Sequence, residues 1–273
     1  MSYRFIDENR KHLHTFGGTP LLGTSTVTGV MSKPLTWWAS GLAVGKLGWT
    51  NSKLKINGRY ITVPQEKRIG GVLPYLEKIK QMLPEAFLAL LDDAYRAHSE
   101  KLDESAGKGI DRHEILESYV KGCIALGGEP MDVQEEDPLV RKFIEWSLEN
   151  VKEFKLSEAH CYSERLWLGG IVDCVAILKS DDVAVIDFKS SREAYDNQWI
   201  QTALYDVQLS EHGAFDKEGN KIAEPMKATK YLIVPFGAPE FTVEERTDLG
   251  GIKKAAEACV VLYKFTQDVI RTN

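Results

Sequence analysis

Between residues 155 and 188 the chain runs through three short segments rich in β-branched and aromatic residues: 155–166, 168–178 and 183–188. Gly169-Gly170 and Ser180-Asp181-Asp182 punctuate them. Such a triplet predicts an antiparallel meander, and the strand period of two fixes which residues share a face. Asp173 falls in the second segment, within Gly170-Ile171-Val172-Asp173; Asp187 ends the third, and Lys189 follows two residues on. Asp187 and Lys189 therefore project from one face while Phe188 points into the core. The connection between Asp173 and Asp187 is short enough to set the two carboxylates side by side. Their neighbours (Ile171, Val172, Val175, Val183, Val185, Ile186) are apolar, so these charges do not lie on a solvated face. Two acids and a lysine against a buried sheet are costly unless a cation or mutual pairing compensates them. Hard carboxylate oxygens suit Mg²⁺ or Mn²⁺, which would lower the pKa of a bound water and stabilise charge on a phosphoryl oxygen. Lys189 would then orient the attacking water and offset charge in the transition state. On its own, so short a string reads more readily as a salt bridge at a strand end.

The rest of the chain surrounds this meander with helices. Residues 3–23 carry turn signals (Gly17-Gly18, Pro20, Gly23) and predict a short hairpin, followed by helical stretches over 24–31 and 35–44. Residues 45–64 read as a loop or a hairpin over 54–63. Apolar residues then recur at helical spacing from Gln65 to Leu126, with a break expected at Ser105-Ala106-Gly107-Lys108-Gly109, and a further helix is expected over 138–151. After the meander come a helix over 195–210, strands over 228–234 and 240–245, and a closing helix over 250–271. The order predicts an α/β (α+β) fold, a central mixed sheet flanked by helices with an α-helical amino-terminal region. Residues 1–84 are expected to form a basic hairpin and helical arm, and 85–273 a single compact core.

Charge supports that division. The net charge is -6, yet residues 1–80 hold 12 Lys/Arg against four acids, so this segment is +8 and the remainder -14. A basic arm joined to an acidic body suits phosphate tracking beside acidic metal ligands, and equally a lysine-rich solvated surface. Trp37, Trp38 and Trp49 lie among Lys33, Lys46, Lys53 and Lys55 in this segment, where aromatics could stack on unpaired bases or pack on the core. The four cysteines (Cys123, Cys161, Cys174, Cys259) form no CxxC pair and read as buried thiols, not a zinc or iron–sulfur site. With no long apolar run and no signal-peptide pattern at the start, a cytoplasmic protein with no membrane partner is expected.

Three strings taken together are more specific than any alone: Gly170-x-x-Asp173, Asp187-Phe188-Lys189-Ser190-Ser191, and Gln201-x-x-x-Tyr205. With Gly109-Ile110-Asp111-Arg112-His113-Glu114 upstream, they resemble the RecB-type branch of the PD-(D/E)XK nuclease superfamily, over residues 94–206. The stretch from Ser25 to Ala39 is similar to the front of phage-type exonucleases and of the mitochondrial genome maintenance exonuclease. The resemblance implies a restriction-endonuclease-like core with His113, Asp173, Asp187 and the backbone carbonyl of Phe188 as metal ligands. It also implies Glu117 orienting the site or holding a second ion, and Glu164 as an acid near the metal. Gln201 and Tyr205, four apart and so on one helix face, would line the substrate path beside Lys189, and Ser190, Ser191 and Arg192 would contact phosphate. Read from residues alone, His113 is a structural histidine on an amphipathic helix, Glu164 a strand-face charge, and Gln201/Tyr205 a capped core pair. The second acid is Asp187 where many members carry Glu, and the cysteine arrangement of the iron–sulfur members is missing.

The activity so implied is a Mg²⁺- or Mn²⁺-dependent DNA exonuclease in phage or prophage DNA recombination or repair, acting on DNA ends with or without a recombination partner protein. A structure-specific or restriction-like endonuclease on the same core, and a non-catalytic DNA-binding module, are the alternatives. A sugar- or nucleotide-binding enzyme fits poorly, since the chain carries neither a dinucleotide-binding glycine fingerprint nor a P-loop.

Overall fold

The computed structural model describes residues 2–8, 11–31, 36–56 and 59–271. In chain order these form strands β1 (Tyr3–Glu8), β2 (Lys11–Phe16), β3 (Thr19–Pro20) and β4 (Leu22–Gly23). Helix α1 (Thr24–Thr28) runs into a single 3₁₀ turn (Gly29–Met31), and α2 (Thr36–Gly45), β5 (Lys53–Ile56), β6 (Arg59–Thr62), α3 (Gln65–Lys80), α4 (Pro84–Ala125) and α5 (Pro138–Asn150) follow. The meander is β7 (Val151–Ser163), β8 (Leu168–Leu178) and β9 (Val183–Lys189). The chain continues through α6 (Asp196–His212), β10 (Ala214–Phe215), β11 (Lys221–Ala223), β12 (Lys230–Pro235) and β13 (Glu244–Arg246) to α7 (Leu249–Arg271).

The main sheet runs β11-β10-β7-β8-β9-β12-β13, with β4 added in parallel to the start of β8. β7, β8 and β9 are antiparallel, whereas β9 and β12 are parallel, because α6 carries the chain back across the sheet between them. The fold is thus a mixed α/β arrangement with helices on both faces of a mixed sheet. On one face Val175, Val185, Tyr231 and Ile233 pack against Trp199, Ala203 and Leu204 of α6 and Ala256 and Val260 of α7. On the other, Cys174, Ala184, Ile186, Phe188 and Leu232 meet Leu116, Val120 and Cys123 of α4 and Val140, Phe143 and Ile144 of α5. β9 and β12 are buried on both faces, which is why they read as nearly unbroken apolar runs. All four cysteines are buried free thiols. Among the described residues no helix is long and apolar enough to cross a membrane.

Two sequence expectations are corrected, and one hairpin was not foreseen. The helix does not break at Ser105–Gly109: α4 continues from Pro84 to Ala125, and the interruption falls earlier, between α3 and α4. A glycine inside a helix costs about 1 kcal/mol relative to alanine, which weakens a helix without ending it, while Pro84 suits a helix start. The hairpin β10–β11 lies in a stretch that showed no strand pattern. The division at residue 84 also fails. One unit comprises Met1–Ser32 with Lys108–Asn273, and the other Lys33–Gly107. The first 31 residues join the sheet-bearing unit because Tyr3, Phe16 and Leu21 pack on Tyr162, and Leu22 and Gly23 pair with Leu168 and Gly169. The second unit holds α2, the β5–β6 hairpin, α3 and the beginning of α4.

Candidate active site

Pairing between β8 and β9 runs from Ile177↔Val183 to Cys174↔Ile186, which leaves Asp173 and Asp187 as the next residues on each strand. There the strands part. The Phe188 amide donates to Asp173 Oδ2 at 2.8 Å, so a side chain takes the place of the neighbouring strand's carbonyl. On the other side of β8, the pairs Ser157↔Cys174 and Ala159↔Val172 flank Glu158 and Asp173. Glu158 has φ 49, the left-handed region that a non-glycine residue rarely occupies. Strand alternation slips at this point: Val172 and Val175 pack toward α6, whereas Cys174 packs toward α5. Glu158, Asp173 and Asp187 thus form a row across three adjacent strands, with the backbone distorted where the row sits. Held conformational outliers of this kind concentrate at functional sites.

Helix α4 supplies the far side. His113 Nε2 lies 3.4 Å from Asp173 Oδ2 and 3.8 Å from Glu158 Oε1. His113, Glu117 and Glu158 bring potential ligand atoms within 4.8 Å of one another. Glu117 also pairs with Lys121 one turn on. At the inner end Lys189 Nζ donates to Asp187 Oδ1 at 2.8 Å and lies 2.7 Å from Oδ2. That second contact is out of hydrogen-bond alignment, and both Asp187 Oδ2 and Glu158 Oε1 are buried without a hydrogen-bond partner.

The electrostatics follow from this crowding. Burial, reinforced by the Asp173 charge, outweighs the stabilising Lys189 ammonium and pushes the Asp187 carboxyl up to about 7. Burial and Asp173 likewise push Glu158 up to about 7 against the pull of His113. Asp173 goes the other way: burial opposes its charge, but His113, Lys189 and the Phe188 amide outweigh it and hold the carboxyl below its usual range. Contact with Asp173 raises His113. Lys189 is also raised, since Asp187 and Asp173 outweigh the cost of its burial. Two carboxyls pushed upward by burial and by the Asp173 charge between them, each with a buried oxygen that accepts no hydrogen bond, form a donor set that a cation would stabilise.

α6 lines the same end of the sheet. Gln201 Nε2 donates to the Tyr205 hydroxyl at 2.7 Å, and burial together with Asp173 and Asp187 raises the Tyr205 pKa well above its usual value. Gly170 makes this approach possible: a Cβ there would stand 2.8 Å from Tyr205 Cε1 and 2.6 Å from Thr24 Oγ1. Thr24 in turn is held by Gln208, so Gln201, Tyr205 and Gln208 form a polar stripe along β8.

Of the residues singled out from sequence, His113, Glu117, Asp173, Asp187, Phe188, Lys189, Gln201 and Tyr205 are brought together. Glu164 is not. It lies in the turn after β7, where its amide donates to Glu211 and its carboxylate faces His212 at 3.4 Å. The nearby strand acid is Glu158, six residues earlier, a residue that sequence reasoning missed. Ser191 is held by Gln198 and the Glu193 carbonyl, while Ser190 and Arg192 are exposed. Within the second unit, Lys46 is engaged with Asp93 and Glu100, Lys53 is exposed, and the Arg68 guanidinium covers the Trp49 ring at 5.9 Å. Lys33 and the side chains of Trp37, Trp38 and Lys55 lie outside the described residues. No family model and no curated protein matches the chain.

Proposed function

We propose that the chain is a divalent-metal-dependent deoxyribonuclease of the PD-(D/E)XK type, with a restriction-endonuclease-like core, acting as a cytoplasmic exonuclease in phage or prophage DNA processing. The observation that carries this reading is the row Glu158, Asp173 and Asp187, bounded by His113 and Lys189, in which two buried carboxylate oxygens lack hydrogen bonds. Several hard oxygens with one imidazole fit Mg²⁺ or Mn²⁺. His113, Glu158, Asp173 and Asp187 would hold the ion, with the Phe188 carbonyl and Glu117 as further donors. Bound there, it would supply Lewis-acid stabilisation of the phosphodiester and a more acidic water.

The chain's own groups do the rest. Lys189, charged and fixed against Asp187, steers the attacking water and offsets the negative charge that gathers on the phosphoryl oxygens. Tyr205 and Gln201 orient the substrate phosphate by donating hydrogen bonds from the α6 side. Attack of water oxygen on phosphorus breaks the bond to the 3′ oxygen, leaving a 3′ hydroxyl on one product and a 5′ phosphate on the other. End-labelled linear DNA should release nucleotides with Mg²⁺ or Mn²⁺ and not with EDTA. Asp187→Ala and Lys189→Ala should each lower the rate by about 10²–10³-fold or more. Full activity in either variant would remove this site from consideration, and cutting of closed circular DNA would make the enzyme an endonuclease.

A further inference from the structure

His113 is held in place by its neighbour in sequence. Arg112 Nε donates to Asp137 Oδ2 at 2.8 Å, and its NH1 nitrogen donates to the Phe236 carbonyl at 2.6 Å. Each acceptor is itself anchored. Asp137 is the N-cap of α5, its Oδ1 accepting from the amides of Leu139 and Val140. Phe236 directly follows β12, and its amide donates to the Lys189 carbonyl at 2.7 Å. One guanidinium therefore bridges the helix that carries His113, the start of α5 and the chain segment bonded to the backbone of Lys189. Phe188 adds packing to the same bridge, its ring lying edge-on to His113 at 6.0 Å and against Phe236 at 6.2 Å.

The geometry points to Arg112 as a positioning residue that sets the separation of His113 from the Asp173–Asp187–Lys189 strand ends, and through it the site's affinity for a divalent ion. This rests on the proposed metal centre. Arginine suits the task because its planar fork reaches two acceptors in fixed directions at once, whereas a lysine ammonium on a flexible stem does not impose that geometry. The guanidinium is engaged by Asp137 and the Phe236 carbonyl, so its effect on the ion passes through His113 and Lys189 and not by direct ligation. Residues that orient metal ligands from behind commonly change affinity by 10–100-fold.

The test is Mn²⁺ binding to the full chain, followed by the loss of free Mn²⁺ electron paramagnetic resonance signal, alongside thermal denaturation of the metal-free protein. Arg112→Lys, Arg112→Met and Asp137→Asn are compared with the parent chain. Asparagine retains the capping acceptor of Asp137 but removes its charge, so Asp137→Asn isolates the link to Arg112. All three variants should bind Mn²⁺ roughly tenfold more weakly. Their melting temperatures should fall by no more than the loss of one part-exposed ion pair and its hydrogen bonds requires, because the cap of α5 is retained. The proposal is overturned if the variants that fold bind Mn²⁺ as tightly as the parent, whatever their stability. Should Arg112→Met fail to fold, Arg112→Lys and Asp137→Asn decide the matter. A parent chain that binds no Mn²⁺ removes the metal centre itself, and this inference falls with it; tight binding by parent and variants alike removes only the role of Arg112.

Discussion

At the scale of single residues, the sharpest expectation concerns Glu158. A left-handed glutamate whose buried oxygen has no hydrogen bond gains from a cation and little else. Glu158→Gln should weaken Mn²⁺ binding roughly tenfold or more without lowering the stability of the metal-free chain, since it removes a charge that burial already disfavours. Calorimetric titration of Mn²⁺ into the variant checks this, and unchanged affinity would exclude Glu158 from the donor set. Gly170→Ala should cost about 1–3 kcal/mol of stability, because the added methyl meets Tyr205 and Thr24 in a filled space. A urea melt measures it. The sequence made Asp187 and Lys189 legible because strand alternation alone places them together. Glu158 was hidden, because a pleat that reverses at a left-handed residue leaves no periodic trace. Glu164 was singled out by the resemblance as an acid in the strand before Asp173, yet it lies in the β7–β8 turn, whereas the carboxylate row sits midway along that hairpin.

At the scale of elements, the β1–β2 hairpin carries a pH dependence of its own. Burial, with His160 and His12 adding repulsion, pushes the His14 pKa down to about 3. Its ring packs over Gly169, and its Nδ1 is hydrogen-bonded to the Tyr3 hydroxyl at 2.6 Å. A depressed histidine is neutral when folded and takes a proton only in the unfolded chain between about pH 6.5 and 3. Stability from this residue is therefore complete above about pH 6.5 and lost as the pH falls, by at most about 1.4 kcal/mol per pH unit. Urea midpoints at pH 7 and pH 5 should differ more for the parent chain than for His14→Gln; equal slopes would show that the burial of His14 contributes nothing. Helices and long strands were readable from their periodicity, whereas β10–β11 was not, because strands of two and three residues are too short to display one. The continuity of α4 past Gly107 and Gly109 was hidden for a different reason: punctuation residues signal a cost, and the strength of the neighbouring helix decides whether that cost prevails.

For the whole molecule, binding of an ion to the folded state alone should raise stability by about 2.7 kcal/mol at a concentration 100 times its dissociation constant. Thermal melts with Mn²⁺ and with EDTA should separate accordingly, and coincident melts would argue that the chain holds no ion. On the proposed function, the uneven distribution of charge, +8 in residues 1–80 against -14 beyond, should make DNA affinity fall steeply with salt. Lys53→Ala should flatten that slope by about one counterion, whereas Lys46→Ala should change it less, because Asp93 and Glu100 already engage Lys46. Affinity measured from 50 to 200 mM salt separates the two. The basic character of the front segment was legible in the sequence, but its division was not: the apolar seat for Tyr3, Phe16 and Leu21 exists only once Tyr162 is in place. The parallel pairing of Leu22 with Leu168 has a consequence for how the protein is made. During synthesis the opening strands leave the ribosome long before the sheet they join exists, with Lys33–Gly107 emerging in between. Tyr3, Phe16, Leu21 and β4 must wait, exposed, for β7 and β8, and a ribosome that stalls before residue 168 holds a nascent chain whose β1, β2 and β3 can pair with one another but have no sheet to pack on.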